Sequence, residues 1–314
     1  MAATAVPPGP SIDLSGDARR HRRERAIGAV FFGAALLSIV VSAAIVASLF
    51  GKGWAFLSEA EWGEVLTGDT WNPRQGSFGI RPLVTSSLIV TGVAMVVAAP
   101  LGLGTAVYLS EFARPRIRAT FKPVIEVLAG VPSVVLGFFA LGWIAPNVVG
   151  RLFGEEHGRG GSMLAAGIGV GLLAIPLVAS VSEDAMRAVP GALREASAGL
   201  GARHMTTTVR VVLPAAVSGL VAAFILAVSR AIGETMVVFI AAGAATVGNL
   251  STSPLDSGLT MTAGMASLAT GTESVKGASL AYPSLFMLGI VLFFITLGLN
   301  VLGNRFVRRV RQAY

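Results

Sequence analysis

LVTSSLIVTGVAMVVAAPLGLGTAVYLS, residues Leu83–Ser110, contains no charged side chain from end to end. An α-helix advances about 1.5 Å per residue, and roughly 20 apolar residues carry it across the hydrocarbon core of a bilayer. The stretch exceeds that length. Its apolar residues come in runs rather than in the alternation of a barrel strand, so a helix is the structure to expect. Outward from it the same pattern recurs five times. Ala26–Phe50, Val127–Gly150 and Ser162–Ser182 are uncharged. Val211–Ser229 is uncharged too, and its helix is expected to run on to about Ala244 through two charged residues. Gly277–Asn304 is the last.

Composition agrees with this reading. The 314 residues are 54% hydrophobic and only 13% charged, about half the charge of an ordinary soluble domain. Mean hydropathy is +0.73. Six such helices in a soluble chain would leave too little polar surface to cover them. The first stretch is longer than the roughly 7–15 residues of a signal-peptide core, so it is expected to stay as an uncleaved helix. With no cysteine, a thiolate metal site, an iron–sulfur cluster and a thiol nucleophile are excluded.

Orientation follows from where the positive charges fall. Of the 24 basic residues, 17 lie in the N-terminal segment, the second connection, the fourth connection and the C-terminal tail. Six lie on the other side, and Arg230 lies inside a span. The expected fold is therefore all-α and integral to the membrane, with six transmembrane helices and both termini cytoplasmic. The net charge of +7 is then topology and lipid contact, and no nucleic-acid partner is needed. The organisation expected is a flexible basic tail over 1–25, a first helix over 26–50 and an external loop over 51–82. A core of five helices over 83–305 and a basic tail over 306–314 complete it. The external loop carries Trp54, Trp62 and Trp71, which suit head-group anchoring or, alternatively, a docking surface.

Two places say more. The connection Glu183–Arg210 is long enough to need structure of its own. Pro190 suits a helix start, Ala192–Leu200 is rich in helix formers, and Gly199 and Gly201 suit a helix end. Leu193, Ala196 and Leu200 form a small apolar face at helical spacing. The second place is Arg230 and Glu234, near the middle of the fifth span. A charge at bilayer depth costs at least about 2.5–3.5 kcal/mol. The i, i+4 spacing places the pair on one helix face, either as a self-neutralising structural ion pair or as part of an anion path. Arginine's permanent planar fork fits phosphate or carboxylate oxygens. Glu126, four residues beyond Lys122, reads as a helix-end charge. No phosphate-binding G-x-x-x-x-G-K-[ST] loop occurs, the three histidines are scattered, and no nucleophile motif is present. An enzyme is not expected.

Glu195-Ala196-Ser197, then Gly201, then Val211-Val212-Leu213-Pro214 resembles the coupling motif of ABC importer permeases, with serine for the second alanine and valine for isoleucine. The resemblance implies that Glu195, Ala196, Gly201, Leu213 and Pro214 belong to a short cytoplasmic coupling helix between helices 4 and 5 and the start of helix 5. In that family this element docks into the ATPase subunit. Three further segments resemble phosphate importer permeases of the Pst type. They are Ser229–Met236, Leu128–Val135, and Pro100–Ser110 with Glu111. Met236 after Glu234-Thr235 resembles the PstC subunit more than PstA.

That resemblance implies a substrate pathway through Arg230 and Glu234. It also implies a homologous permease partner of the PstA type, two ATPase subunits that bind the ATP and Mg, and an external phosphate-binding protein, in a prokaryotic cytoplasmic membrane. No cofactor is expected in this chain. A membrane sensor or scaffold for phosphate-starvation signalling, and a permease for sulfate, molybdate or phosphonate, are the alternative readings.

Overall fold

The computed structural model describes residues 18–243, 247–271 and 280–311, and among them six helices are long and apolar enough to cross a membrane. The chain falls into two compact units, Met1–Gly51 and Lys52–Tyr314. The first holds most of α1 (Ala18–Glu59). This helix outruns the expected 26–50 at both ends, and the apolar side chains of its first half, Phe31, Phe32 and Leu37 among them, are exposed.

In the second unit, α2 (Trp62–Thr67) is followed by β1 (Thr70–Asn72), β2 (Ser77–Phe78) and α3 (Arg81–Val107). A π-helical turn, Tyr108–Phe112, extends α3. Next come α4 (Pro115–Ala129), then α5 (Ser133–Phe139), which continues as π-helix through Ala140–Val149 into α6 (Gly150–Phe153). After the short α7 (Glu155–Gly158) lie α8 (Met163–Arg187), α9 (Gly191–Gly199) and α10 (His204–Thr207). A second π-turn, Thr208–Val212, leads into α11 (Leu213–Ile232). The chain ends with α12 (Met236–Ala241), β3 (Gly248–Asn249), α13 (Met261–Ala269) and α14 (Ala281–Arg311).

Small residues set the helix packing. A Cβ on Gly167 would sit 2.6 Å from the Val93 side chain, and one on Gly171 would sit 2.8 Å from Val97. From the other side, a Cβ on Gly102 would sit 2.7 Å from Val178. These three glycines bring α3 and α8 together at a distance that no larger residue permits, as small residues do between membrane helices. α8 is consequently the most buried span. Its first amides are satisfied by Ser162, whose Oγ accepts from the Ala165 amide at 3.1 Å, and by the Asp256 and Pro254 carbonyls, which accept from Met163 and Leu164. Gly171→Val is expected to abolish accumulation of folded protein, because β-branched volume meets backbone and a β-branched neighbour. Size-exclusion profiles after detergent extraction would check this. A monodisperse peak at parental yield would contradict it.

The segment expected to be external contributes to the core instead of only lying on it. β1 pairs antiparallel with both neighbours, Trp71 opposite Phe78 and Thr70 opposite Asn249, in the order β2-β1-β3. Trp71 is fully buried, edge-on to Phe78, which in turn meets Phe56. Of the three tryptophans expected as interface anchors, only Trp54 and Trp62 are exposed.

Two further spans, the third and the fifth, depart from their expected bounds. The third does not begin at Val127. α4 ends at Ala129, Gly130–Pro132 breaks the chain, and the span is Ser133–Phe153. Proline at 132 cannot donate the amide a continuous helix would need. The fifth does not run on to Ala244, because α11 stops at Ile232 and the chain is non-helical from Gly233 to Thr235 before α12. The sixth is helical from Ala281, and the expected start at Gly277 falls outside the described residues.

Candidate functional site

The Glu195 motif folds as a helix with a defined stop. α9 begins after Pro190, one residue before the expected Ala192, and has no buried residue. Beyond it, Gly201 has φ of +79°, the left-handed region. Its amide donates to the Ala198 carbonyl at 2.9 Å, and the Ala202 amide donates to Ser197 at 3.1 Å. These two bonds are the Schellman arrangement that closes a helix on a left-handed residue, so glycine at 201 is a conformational requirement. Glu195 and Ala196 are exposed. Leu193 is exposed too, and Leu200 keeps 90% of its surface. The apolar face expected from the sequence is therefore present and uncovered in this chain.

The second half of the motif is buried. Val212 and the start of α11 pack on Ala106, Met186 and Val189, with Leu213 beside them. Pro214 is the second residue of α11, directly after the π-turn Thr208–Val212. A bond of 2.9 Å between the Ser197 and Thr207 hydroxyls joins the two halves.

A residue that sequence reading counted only as a positive charge holds this region together. Arg194 donates to Glu111 at 2.9 Å and 3.4 Å, to the Met186 carbonyl at 2.9 Å and to the Val189 carbonyl at 2.7 Å. Met186 belongs to α8 and Val189 to the connection that follows it. One guanidinium thus ties α9 to the ends of two spans. Nothing in the local sequence signals a partner 83 positions away. The available hint was Glu111, an acid directly after a charge-free span.

Beside this brace, Glu183 is fully buried and pairs with Arg118 and Lys122, and Lys122 also reaches Asp184 at 3.1 Å. Burial alone would lower the Lys122 pKa. The hydrogen bond to Asp184 and the charges of Glu183 and Asp184 outweigh it and hold the pKa above the usual lysine value.

At the other end of α11 the sequence expectation needs correction. Arg230 lies in the last turn of α11, while Glu234 lies in the non-helical break. They do not share a helix face. Glycine at 233 is a poor helix former and ends the i, i+4 relation. The Glu234 carboxylate instead accepts from the Val237 amide at 3.5 Å, capping α12, and its backbone carbonyl accepts from the Thr262 hydroxyl at 2.6 Å. The break opens on a cleft of about 380 Å³ lined by Gly233, Thr235, Thr262, Met265 and Leu292 among others. Arg230 is exposed, and among the described residues it forms no ion pair and no side-chain hydrogen bond.

Residues 98–312 match the family described as binding-protein-dependent transport system inner membrane component. The phosphate transport system permease protein PstC of Mesorhizobium japonicum is 30% identical over 96% of both chains. The phosphate transport system permease protein PstA 1 of Mycobacterium tuberculosis is 33% identical over 72% of this chain and 71% of its own length. The fold is shared with a bacterial alginate ABC transporter solved with an alginate pentasaccharide-bound periplasmic protein. There the TM-score is 0.63 at 14% identity, over 93% of this chain and 97% of that one.

Proposed function

Because the chain belongs to the binding-protein-dependent transport family of inner membrane components, as a multi-pass permease, we propose that it is the PstC-type subunit of an ABC importer for inorganic phosphate. The observation that carries the pathway is Arg230. A permanent cation within the span His204–Ile232 is exposed on this chain and unpartnered among the described residues. Facing lipid from the last turn of the span, it would have to reach for the head-groups. Facing a second permease subunit across an aqueous path, it is solvated and meets the anion. The likeness to PstC over 96% of both chains supports phosphate as that anion.

The proposed assembly pairs this chain with a PstA-type permease. Two ATPase subunits, which bind the ATP and Mg, receive the exposed face of α9 around Glu195, Ala196 and Leu200. A phosphate-binding protein docks outside, and both termini are cytoplasmic. ATP-driven closure of the ATPases moves α9, and the Arg194 brace and the packed start of α11 at Leu213 and Pro214 carry that motion into the spans. Arg230 offers the anion a transient site, and the break at Glu234 shapes the cleft beside it.

The test is ATP-driven uptake of labelled phosphate into proteoliposomes holding the whole complex. The expected result is uptake in the parent and loss of uptake in Glu195→Lys, whose complex loses ATPase docking. Uptake of a different oxyanion and not phosphate would overturn the substrate. An intact, hydrolysing complex that moves no anion would overturn the transport role.

A further inference from the structure

Between α4 and the ends of α3 and α8 lies a cleft of about 580 Å³ that the transport reading does not use. Arg118, Lys122 and Arg187 line it, with Ser110 and Glu126 at its edges. We propose that this cleft binds the phosphodiester headgroup of an anionic phospholipid, with the acyl chains lying along α4.

Charge supports a headgroup. Arg118, Lys122 and Arg187 line the cleft with Glu126 as the one lining carboxylate, while Glu183 and Asp184 pair with Arg118 and Lys122 from outside the lining. Three lining cations against one lining carboxylate leave the cleft surface positive. Glu183 and Asp184 hold Arg118 and Lys122 in place, so two cationic groups are pre-positioned without a ligand. Arg187 is exposed at the mouth and completes a fork suited to phosphate oxygens.

Shape supports a lipid over a free ion. α4 turns its charged residues Arg118 and Lys122 toward α8. Phe121, Val124 and Leu128, at helical i, i+3, i+7 spacing, are all more than half exposed. That apolar stripe continues past the Gly130–Pro132 break into exposed Val135 and Phe138 on the third span. A helix with one basic and one apolar face at the end of membrane spans lies in the head-group region. Basic pockets between spans at this depth take acidic headgroups. On the orientation proposed above, the leaflet is the cytoplasmic one.

The experiment is a titration of the purified full chain in mild detergent, read by native mass spectrometry and by melting temperature. The ligands are phosphatidylglycerol, phosphatidylcholine and inorganic phosphate. Phosphatidylglycerol is expected to bind at least 10-fold more tightly than phosphatidylcholine and to raise the melting temperature. Inorganic phosphate at equal concentration is expected to do neither. Arg187→Ala should weaken phosphatidylglycerol binding about 5-fold. Arg203→Ala removes an exposed charge from the same end of the chain outside the cleft, and should leave binding unchanged. Equal binding of the two lipids would overturn the proposal. Equal loss in the two variants would reduce it to unspecific attraction and overturn it as well. Stabilisation by inorganic phosphate alone that persists in Arg230→Gln and is lost in Arg187→Ala would assign the cleft to a free anion and overturn the lipid.

Discussion

Arg230→Gln is expected to stop phosphate uptake while leaving the protein folded and assembled. Among the described residues the guanidinium has no carboxylate to lose and no side-chain hydrogen bond to break. Its local contribution is the interaction of a cation with the C-terminal end of α11, roughly 0.3–1 kcal/mol at most at such a position. Its contribution to a passing phosphate is larger. A charge-assisted hydrogen bond is worth about 1.5–3 kcal/mol, or roughly 10- to 100-fold in occupancy at 1.4 kcal/mol per decade. Uptake at limiting phosphate should fall by about that factor, with complex yield unchanged. Arg230→Lys keeps the charge and loses the planar fork, so it should lie between the two. Normal uptake by Arg230→Gln would remove Arg230 from the pathway.

Arg194→Ala should do the reverse, damaging the protein's mechanics without touching the pathway. The Glu111 side chain is 4% exposed and that of Arg194 is 28% exposed. Truncating the arginine leaves a carboxylate nearly buried without its cation, and it removes a donor from each of the Met186 and Val189 carbonyls. Removing one member of a buried pair costs about 3–5 kcal/mol, and the partial exposure of Arg194 sets the expected loss toward about 3 kcal/mol. The consequence for function is separation of the two activities. ATP hydrolysis by the assembled complex should persist while phosphate moved per ATP drops several-fold, because α9 is no longer fixed to the ends of α3 and α8. Glu111→Gln retains a hydrogen-bond acceptor and should be milder in both respects. A parental uptake-to-hydrolysis ratio in a folded Arg194→Ala complex would show that the brace is structural only.

Charge-free length made the spans legible, since it reports directly on the solvent of each helix. The short helix after Pro190 was legible for a local reason too. Proline before it and Gly201 after it set backbone angles that need no distant partner, and α9 falls within one residue of the expected range. What escaped is set by tertiary contact. The Arg194–Glu111 pair joins segments far apart in sequence, and the burial of Trp71 depends on a strand pairing with Gly248. The end of α11 at Gly233 escaped as well, in a stretch where the sequence leads to a helix running through two charged residues to about Ala244. There the Thr262 hydroxyl on the Glu234 carbonyl and the Glu234 cap on α12 stabilise a break that apolar patterning does not encode.

The break at Gly233–Thr235 divides the fifth span into a lever and a stator. From Leu213 to Arg230 the helix is uninterrupted, an arm of about 25 Å at 1.5 Å per residue. A tilt of about 10° imposed at its Leu213 end sweeps Arg230 through roughly 4 Å on that arm. α12 need not follow, because it is packed on α5, which α11 is not shown to touch, and the non-helical residues between absorb the angle. The charged tip of the lever can therefore travel past a fixed wall, and a small stroke at one end of the helix becomes an ångström-scale change in where the cation stands at the other.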